Sequence, residues 1–314
     1  MGKSQLVRIR DGIALADLHL GGEAESVATY LVETRDGLVI VDPGPGSCAD
    51  AFHDALRQAG ASVTDLRHLL LTHIHLDHAG AAGALAREVP HLQVHVHPVG
   101  APHLLDPGRL LASAQRIYGD DMDRLWGPFL PVPVDQVRVL DHDARLTIGE
   151  RRWRVAATPG HAIHHLAFLE EREGLAWTGD VAGEATQHGT PALPAAPPPD
   201  IDLAEWQRSI DLVAGWRPEA LLLTHYGIAR DPQAHLRELW DRLVDWAGQV
   251  QRSLEEPGSD EERAERFGST EFERLTRGMS PGQARWVNRS TIVSSWPGLA
   301  RYWRRRMKAD AGTA

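Results

Sequence analysis

The sequence predicts an α/β fold in which two halves pack sheet against sheet with helices outside, followed by a helical extension. Each half runs from short β-branched strands into an amphipathic helix, and each contains a strand that ends in the letters LLLTH, at residues 69–73 and 221–225. After residue 227 the apolar residues change from strand-like runs to helical spacing. We therefore predict two domains, residues 1–230 and residues 231–314.

The first half opens with a predicted β-hairpin. Residues 27–32 and 38–41 are β-branched runs joined by ETRDG, and DPGPG ends the second strand. The helical spacing of Phe52 and Leu56 predicts a helix that stops at Gly60. Residues 66–71 and 92–96 then form short apolar strands on either side of an Ala-rich helix.

The second half repeats this order. Strands are predicted at residues 137–140, 146–148 and 153–157, and a hairpin at 166–169 and 175–178. The Pro-rich residues 190–200 favour neither a helix nor a central strand. Asp202, with Glu205 three residues later, predicts the start of a helix, and residues 221–223 form the last predicted strand.

The extension is predicted to be helical and packed. Asp231-Pro232 and Ser280-Pro281 are helix starts, and apolar residues follow the first of them at helical spacing. Five tryptophans give the extension an apolar surface that must be buried: Trp240, Trp246, Trp286, Trp296 and Trp303. We expect this surface to pack on the first domain or on a partner chain in a homodimer.

Composition restricts the partners and the compartment. The net charge of −10 argues against nucleic-acid binding, which needs a basic surface. One cysteine, Cys48, allows no disulfide within the chain. The start of the chain has no apolar signal region, and no run approaches the ~20 apolar residues of a membrane span. We predict a cytoplasmic protein that acts on a small molecule, with neither nucleic acid nor membrane as a partner.

The segment THIHLDHAG places four metal-ligand side chains within six positions: His73, His75, Asp77 and His78. Imidazole and carboxylate groups bind zinc, manganese and iron. Positions i and i+2 of a strand share a face, so the first two histidines can hold one ion together. The aspartate and the third histidine follow as the chain turns, and can hold a neighbouring ion.

Four residues cannot fill two coordination spheres, and three later strand ends offer more. TPGH ends at His161, TGD ends at Asp180, and the second LLLTH ends at His225. Each brings one histidine or aspartate from a strand end into a loop, where functional residues of a rigid scaffold are usually found.

The series HIHLDH, TPGH, TGD and LLLTH, with VDPG at residues 41–44, resembles the metallo-β-lactamase fold superfamily over about residues 7–228. The resemblance implies a four-layer αβ/βα sandwich, with residues 1–230 as the catalytic domain. It also implies a first metal position of three histidines, a second of an aspartate and two histidines, and one bridging aspartate. In that order the ligands would be His73, His75 and His161; Asp77, His78 and His225; and Asp180.

Two divalent ions, expected to be zinc with manganese or iron as alternatives, would lower the pKa of a bridging water from ~15.7 towards ~7. The resulting hydroxide is the predicted nucleophile, and the ions also polarise the substrate oxygen. Asp77 is the predicted catalytic residue, because it can orient the water or accept its proton.

Four further residues are candidates for contacts to the ligands or the substrate: Asp42, Tyr118, His164 and Tyr226. The aspartate can accept a hydrogen bond from a ligand imidazole, or can simply begin the turn before Pro43. The tyrosines can reach a substrate oxygen or can pack. Either His164 or its neighbour His165 is expected to point into the site.

Within the superfamily the chain is similar to glyoxalase II-like relatives and to a group of little-characterised metal-dependent hydrolases. Around the last histidine it reads THYGIA, not the GHEYT-type segment of glyoxalase II. The leading prediction is a binuclear hydrolase of a small ester, thioester or lactone. One alternative is a mononuclear iron persulfide dioxygenase, and another is a metal-stabilised binding module without turnover.

Overall fold

The structure, a computed structural model, describes residues 6–186 and 188–312. The outer ends of the two predicted domains, residues 1–5 and 313–314, lie outside the described residues. Seven strands form the first sheet in chain order: β1 (Leu6–Arg10), β2 (Ile13–Asp17), β3 (Ala28–Thr34), β4 (Gly37–Val41), β5 (Leu66–Leu70), β6 (Gln93–Val96) and β7 (Val137–Val139).

Six strands form the second sheet, in the order β13-β12-β11-β10-β9-β8. Their bounds are β8 (Arg145–Ile148), β9 (Arg151–Ala157), β10 (Leu166–Glu170), β11 (Leu175–Trp177), β12 (Ala220–Leu223) and β13 (Gly227–Ala229). The pairs β4–β5, β5–β6, β6–β7 and β11–β12 are parallel, and the remaining pairs are antiparallel.

The helices lie on the outer faces of the two sheets. Those of the first half are α1 (Ala49–Gln58), α2 (Leu76–Ala79), α3 (Ala82–Glu88), α4 (Ala101–Leu105), α5 (Gly108–Tyr118) and α6 (Met122–Leu125). Those that follow are α7 (Leu203–Gly215), α8 (Pro232–Ser253), α9 (Asp260–Thr276), α10 (Pro281–Ala284) and α11 (Arg289–Gly312). Short 3₁₀ turns lie at Leu20–Gly22, Gly46–Cys48, Val63–Asp65, Gly119–Asp121, Val134–Gln136 and Gly179–Ala182.

Three apolar cores separate four layers. The first core lies between the first sheet and its helices, and includes Phe52 of α1. The second lies between the two sheets and is dominated by Tyr30, Trp153 and Trp177. The third lies between the second sheet and α7, α8, α9 and α11. Central strands covered on both faces read as continuous apolar runs, as LLL does here. The predicted four-layer αβ/βα sandwich is confirmed.

The extension shares the third core with the second sheet. Trp246 of α8 and Trp296 of α11 are fully buried in it. The indole of Trp303 donates a hydrogen bond to Ala247 O at 2.7 Å. Packing of the extension on a partner chain stays a prediction. Among the helices of residues 6–186 and 188–312, none is long and apolar enough to span a membrane.

The two sheets are tied together at one edge, where β4, β5, β11 and β12 end. Ala28 N donates to Thr224 O at 2.8 Å, and Leu166 N donates to Thr72 O at 2.6 Å. The Tyr30 hydroxyl lies 2.6 Å from Leu223 O, which it can reach as a donor across the core. The carboxyl ends of parallel strands are the usual place for ligands in α/β proteins. The loops after these strands therefore leave a rigid framework side by side.

Candidate metal centre

The seven predicted ligands meet at this edge, although they come from four separate segments of the chain. Three overlapping groups have ligand atoms within 4.8 Å of one another. These groups are His73, His75 and His161; His73, His78 and Asp180; and Asp77, His78 and His225. The first and third groups coincide with the two metal positions that the resemblance implies. The role of each residue as a ligand stays a prediction.

The first metal position is formed by nitrogen atoms alone. His75 Nδ1 lies 2.9 Å from His73 Nε2 and 3.0 Å from His161 Nε2. His73 follows β5, His75 precedes the short helix α2, and His161 follows β9 in the other sheet. Three imidazole nitrogens this close together can bind one divalent ion.

The second metal position combines nitrogen and oxygen atoms. His225 Nε2 lies 3.1 Å from Asp77 Oδ2, and His78 Nε2 lies 3.8 Å from the same oxygen. Asp77 and His78 are adjacent on α2, so the helix presents both side chains to the end of β12.

Asp180 lies between the two positions. Its Oδ2 is 3.5 Å from His161 Nε2, and its Oδ1 is 3.1 Å from His78 Nε2 and 3.7 Å from His225 Nε2. One oxygen therefore faces each position, as a bridging carboxylate requires.

Three of the histidines have their Nδ1 atoms fixed by oxygen acceptors. His161 Nδ1 donates to Ala195 O at 2.7 Å, and His225 Nδ1 donates to Ser26 O at 3.0 Å. His78 Nδ1 donates to Asp42 Oδ2 at 2.8 Å. Because a carbonyl or carboxylate oxygen can only accept, the proton must be on Nδ1 in each case. In the neutral ring, each Nε2 is therefore the nitrogen that can bind a metal ion.

Asp42 connects the two LLLTH strands. It is fully buried and its carboxylate accepts from Thr72 N at 2.8 Å, Thr72 Oγ1 at 2.7 Å and Thr224 Oγ1 at 3.0 Å, besides the bond from His78. The threonine of each LLLTH thus binds Asp42, and the histidine after it turns towards the metal positions. This arrangement gives a physical reason for the repeated Thr-His step.

His165 is a functional residue that sequence reasoning left undecided. The backbone N–H of Asp180 donates to His165 Nε2 at 3.1 Å, so His165 Nδ1 carries the proton and donates to Thr158 Oγ1 at 2.7 Å. His165 therefore positions the bridging aspartate. The ring of the predicted candidate His164 lies 5.5 Å from that of His75, and its Nδ1 has no partner among the described residues. The role of His164 stays a prediction.

The first metal position favours neutral imidazoles. Burial and the neighbouring histidines hold the pKa of His73 well below its ordinary value. Burial, followed by His161, lowers the pKa of His75 to about 3. Burial also lowers the pKa of His161, although Asp180 opposes the shift. The neutral form of these three imidazoles is therefore favoured at neutral pH, so they have no net positive charge to lose when they bind a metal ion.

At the second metal position, the neighbouring carboxylates determine the direction in which the histidine pKa values shift. Burial alone would lower the pKa of His78, but Asp180, Asp77 and Asp42 together raise it well above its ordinary value. In the same way Asp180 and Asp77 overcome burial and raise the pKa of His225 to about 9. Burial would raise the pKa of Asp180, but His78 and the other histidines hold it well below its ordinary value. Cationic histidines and anionic carboxylates thus balance one another here.

Two buried polar atoms at the centre have no hydrogen-bond partner among the described residues and could both bind a metal ion. His78 Nε2 and Asp180 Oδ1 are buried and form an ion pair at 3.1 Å, but neither atom has a hydrogen-bond partner among the described residues. An unsatisfied buried polar atom is costly. An ion bound to both would satisfy them, and mixed nitrogen and oxygen donors are typical of zinc, manganese and iron sites.

Access to the centre is from one side. The side chain of Asp77 is 21% exposed and that of His225 is 15% exposed, whereas those of His78 and His161 are fully buried. His75 of the first position is also partly exposed, so a substrate can approach on the side of Asp77, His225 and His75.

The two predicted tyrosines lie in different surroundings. Tyr118, at the end of α5, packs edge-on against Trp126, and burial followed by Asp77 and Asp180 raises its pKa. Tyr226 is buried in the core between the sheets. Burial, followed by Asp17, raises the pKa of Tyr226. Contact with substrate stays a prediction for both tyrosines.

Comparison with known proteins agrees with this geometry. The sequence model of the metallo-beta-lactamase superfamily matches residues 22–226. The probable metallo-hydrolase YqjP of Bacillus subtilis is 25% identical, with 73% of this chain and 76% of that protein covered. An atrochrysone carboxyl ACP thioesterase of Aspergillus fumigatus is 25% identical over 74% of this chain, but only 46% of that protein is covered.

A solved structure shares the fold. The archaeal metallo-beta-lactamase superfamily protein ST1585 from Sulfolobus tokodaii superposes with a TM-score of 0.61 at 21% identity, with 88% of this chain and 93% of that chain covered. The matched family region begins before β3 and ends just after His225, and so includes every predicted metal ligand. The chain therefore belongs to the metallo-beta-lactamase superfamily.

Proposed function

We propose that this protein is a binuclear metal-dependent hydrolase that acts on a small ester, thioester or lactone. The observation that carries the proposal is the convergence of two three-residue groups on the two oxygens of Asp180. Each group could hold one divalent ion, and Asp180 would contribute one oxygen to each position.

Divalent ions held there would lower the pKa of a shared water and polarise the carbonyl oxygen of the substrate. The protein residues position the reacting groups. Asp77 is the most exposed of the carboxylates at the centre, with Oδ2 directed at His225. Its other oxygen can accept the proton of the attacking water on the side from which substrate arrives.

The substrate class is supported by one of the relatives. That relative, named as a thioesterase, shares this fold region, which favours a thioester within the proposed class. The net charge of −10 and the single cysteine support a cytoplasmic enzyme acting on a small molecule, not on nucleic acid.

The mononuclear iron dioxygenase is the weaker alternative. In such an enzyme Asp77, His78 and His225 would not all be ligands. Here their ligand atoms converge within 4.8 Å, which supports the two-metal proposal.

The test is Asp77→Asn, with Asp241→Asn on the exposed face of α8 as the matched control. Turnover of a thioester, ester and lactone panel should fall at least ~100-fold in the Asp77 variant, because general-base catalysis contributes that much. Metal content should stay at one equivalent or more per chain, since the first position is intact. Unchanged turnover in Asp77→Asn would contradict the proposed role.

A further inference from the structure

The helices of the extension hold the Pro-rich loop, residues 190–200, by its backbone. Arg242 of α8 donates to Ala192 O, and Arg301 of α11 donates to Pro199 O at 3.2 Å. Between them lies Ser295 of α11, which is completely buried. The extension thus contacts the backbone of the loop near both of its ends and, through Ser295, at its middle.

Ser295 holds the residues on both sides of Ala195. Its Oγ accepts from Ala196 N at 3.1 Å and lies 3.1 Å from Pro194 O, while Thr291 O, one turn back in the helix, is 2.8 Å away. The hydroxyl proton of Ser295 can therefore be donated to Pro194 O or to Thr291 O. In either case its Oγ still accepts from Ala196 N.

Close packing reinforces this contact. A Cβ atom placed on Gly298 would lie 2.0 Å from Ala196 O, so the backbone of α11 touches the backbone of the loop directly. Ser295 and Gly298 are one turn apart on the same face of α11. Small residues at both positions permit this approach.

The fixed loop in turn holds a predicted metal ligand. Ala195 O accepts the Nδ1 proton of His161 at 2.7 Å, and His161 Nε2 faces His75. The edge of the His161 ring also packs on Trp206 of α7. A shift of Ala195 would free the ring to rotate or to exchange its tautomer.

We propose that the extension is part of the first metal position, and that Ser295 is a positioning residue that fixes His161 through Ala195 O. The proposal rests on the proposed function, in which His161 binds the first ion. If so, binding of that ion depends on α11, and Ser295 of this helix lies more than 130 residues after His161 in the chain.

The second metal position provides an internal comparison. His225 is fixed by Ser26 O and His78 by Asp42, and both acceptors belong to the first domain. Loss of the Ser295 contact should therefore weaken the first position and leave the second unchanged.

The test is Ser295→Ala in the full chain, measured by zinc titration of the metal-free protein against a competing chelator. His161→Ala identifies which binding step belongs to the first position. We expect affinity in that step to fall ~10-fold or more in Ser295→Ala, as is typical when the partner of a metal-bound histidine is lost, with the other step unchanged within ~2-fold.

Ser253→Ala is the matched control. Ser253 is also a buried serine of the extension, and its Oγ accepts from Trp296 Nε1 at 2.9 Å and donates to Val250 O at 2.8 Å, without touching the loop. The Ser253→Ala variant should be less stable than the wild type but should bind zinc at both positions with unchanged affinity. If Ser295→Ala does not fold, Ser295→Cys, which has nearly the same size and a weak donor, carries the test.

A second readout needs no metal. In the metal-free protein the Nδ1 proton of His161 should give a slowly exchanging imidazole NMR signal that is shifted or lost in Ser295→Ala and retained in Ser253→Ala. Equal zinc affinities in the wild type and the Ser295 variant, or equal losses in both serine variants, would overturn the proposal. Absence of zinc binding by the wild type would overturn the proposed function, and this inference with it.

Discussion

Replacing Asp42 by asparagine removes one buried negative charge and leaves the size of the side chain nearly unchanged. The side chains have the same shape, and both tolerate the positive φ of 51° found at this position. The carboxylate accepts four hydrogen bonds, from Thr72 N, Thr72 Oγ1, Thr224 Oγ1 and His78 Nδ1. An amide can accept on one side only, so the variant cannot satisfy all four donors.

Either orientation of the amide has a defined cost. If its NH₂ replaces Oδ1, it faces the N–H of Thr72, which cannot turn away. If it replaces Oδ2, it faces the Nδ1 proton of His78 and favours transfer of that proton to Nε2, the atom needed for the metal ion. A lost hydrogen bond to a charged group and a buried unsatisfied donor together cost about 3 kcal/mol. Loss of the partner of His78 should weaken the second metal position ~10- to 100-fold.

Urea denaturation of the metal-free protein measures the first effect, and zinc titration against a chelator measures the second. Asp143→Asn is the control, because Asp143 also has a positive φ, of 62°, but is exposed. We expect the control to change neither quantity. An Asp42→Asn protein with wild-type stability and wild-type affinity for both ions would refute the assignment of Asp42 as the support of His78 and of both Thr-His steps.

Two further predictions concern the histidines and one of the turns. Binding of the second ion at pH 7 should release about two protons and binding of the first about none, because the raised pKa values of His78 and His225 keep both protonated in the metal-free protein. Affinity at the second position should therefore rise with pH, and calorimetry in buffers of different ionisation enthalpy counts the protons; equal release by both ions would contradict this. Gly160→Ala should destabilise the protein by more than about 2 kcal/mol, since the added Cβ meets Trp206 Cα at 2.3 Å on a backbone with φ of 129°. Gly60→Ala, with φ of 73° but open space around it, should cost less in the same denaturation assay, and equal losses would contradict the packing argument.

The convergence of the seven side chains was predictable because metal chemistry restricts the residue types, and their role as ligands stays a prediction. Histidine and aspartate at successive strand ends are conspicuous in the sequence, and the strands deliver them to one edge. The supporting acceptors were less accessible to prediction. Ser26 O and Ala195 O are backbone atoms of loops, so no side-chain pattern marks them as partners of His225 and His161.

Some secondary structure was also missed, for reasons that the structure makes clear. The strands β1, β2 and β13 were not predicted. LVRIR of β1 is half polar because it lies at the edge of its sheet and pairs only with β2. The segment of three residues that forms β13 is too short to show periodicity, and it is a strand only because it pairs with β12. Residues 291–296, ambiguous between strand and helix in the sequence, belong to α11.

The choice between His164 and His165 depended on side-chain direction. The segment before β10 turns at residues 163–164, and both histidines are buried beside the predicted ligands. Only the structure shows that His165 reaches the backbone of Asp180.

Metal identity and stoichiometry, measured on the full chain purified without added metal, test the central claim most directly. The geometry of Asp180 between two complete ligand groups predicts about two equivalents of zinc or manganese per chain. About one equivalent of iron, with little of any other metal, would contradict the binuclear hydrolase and favour the dioxygenase chemistry.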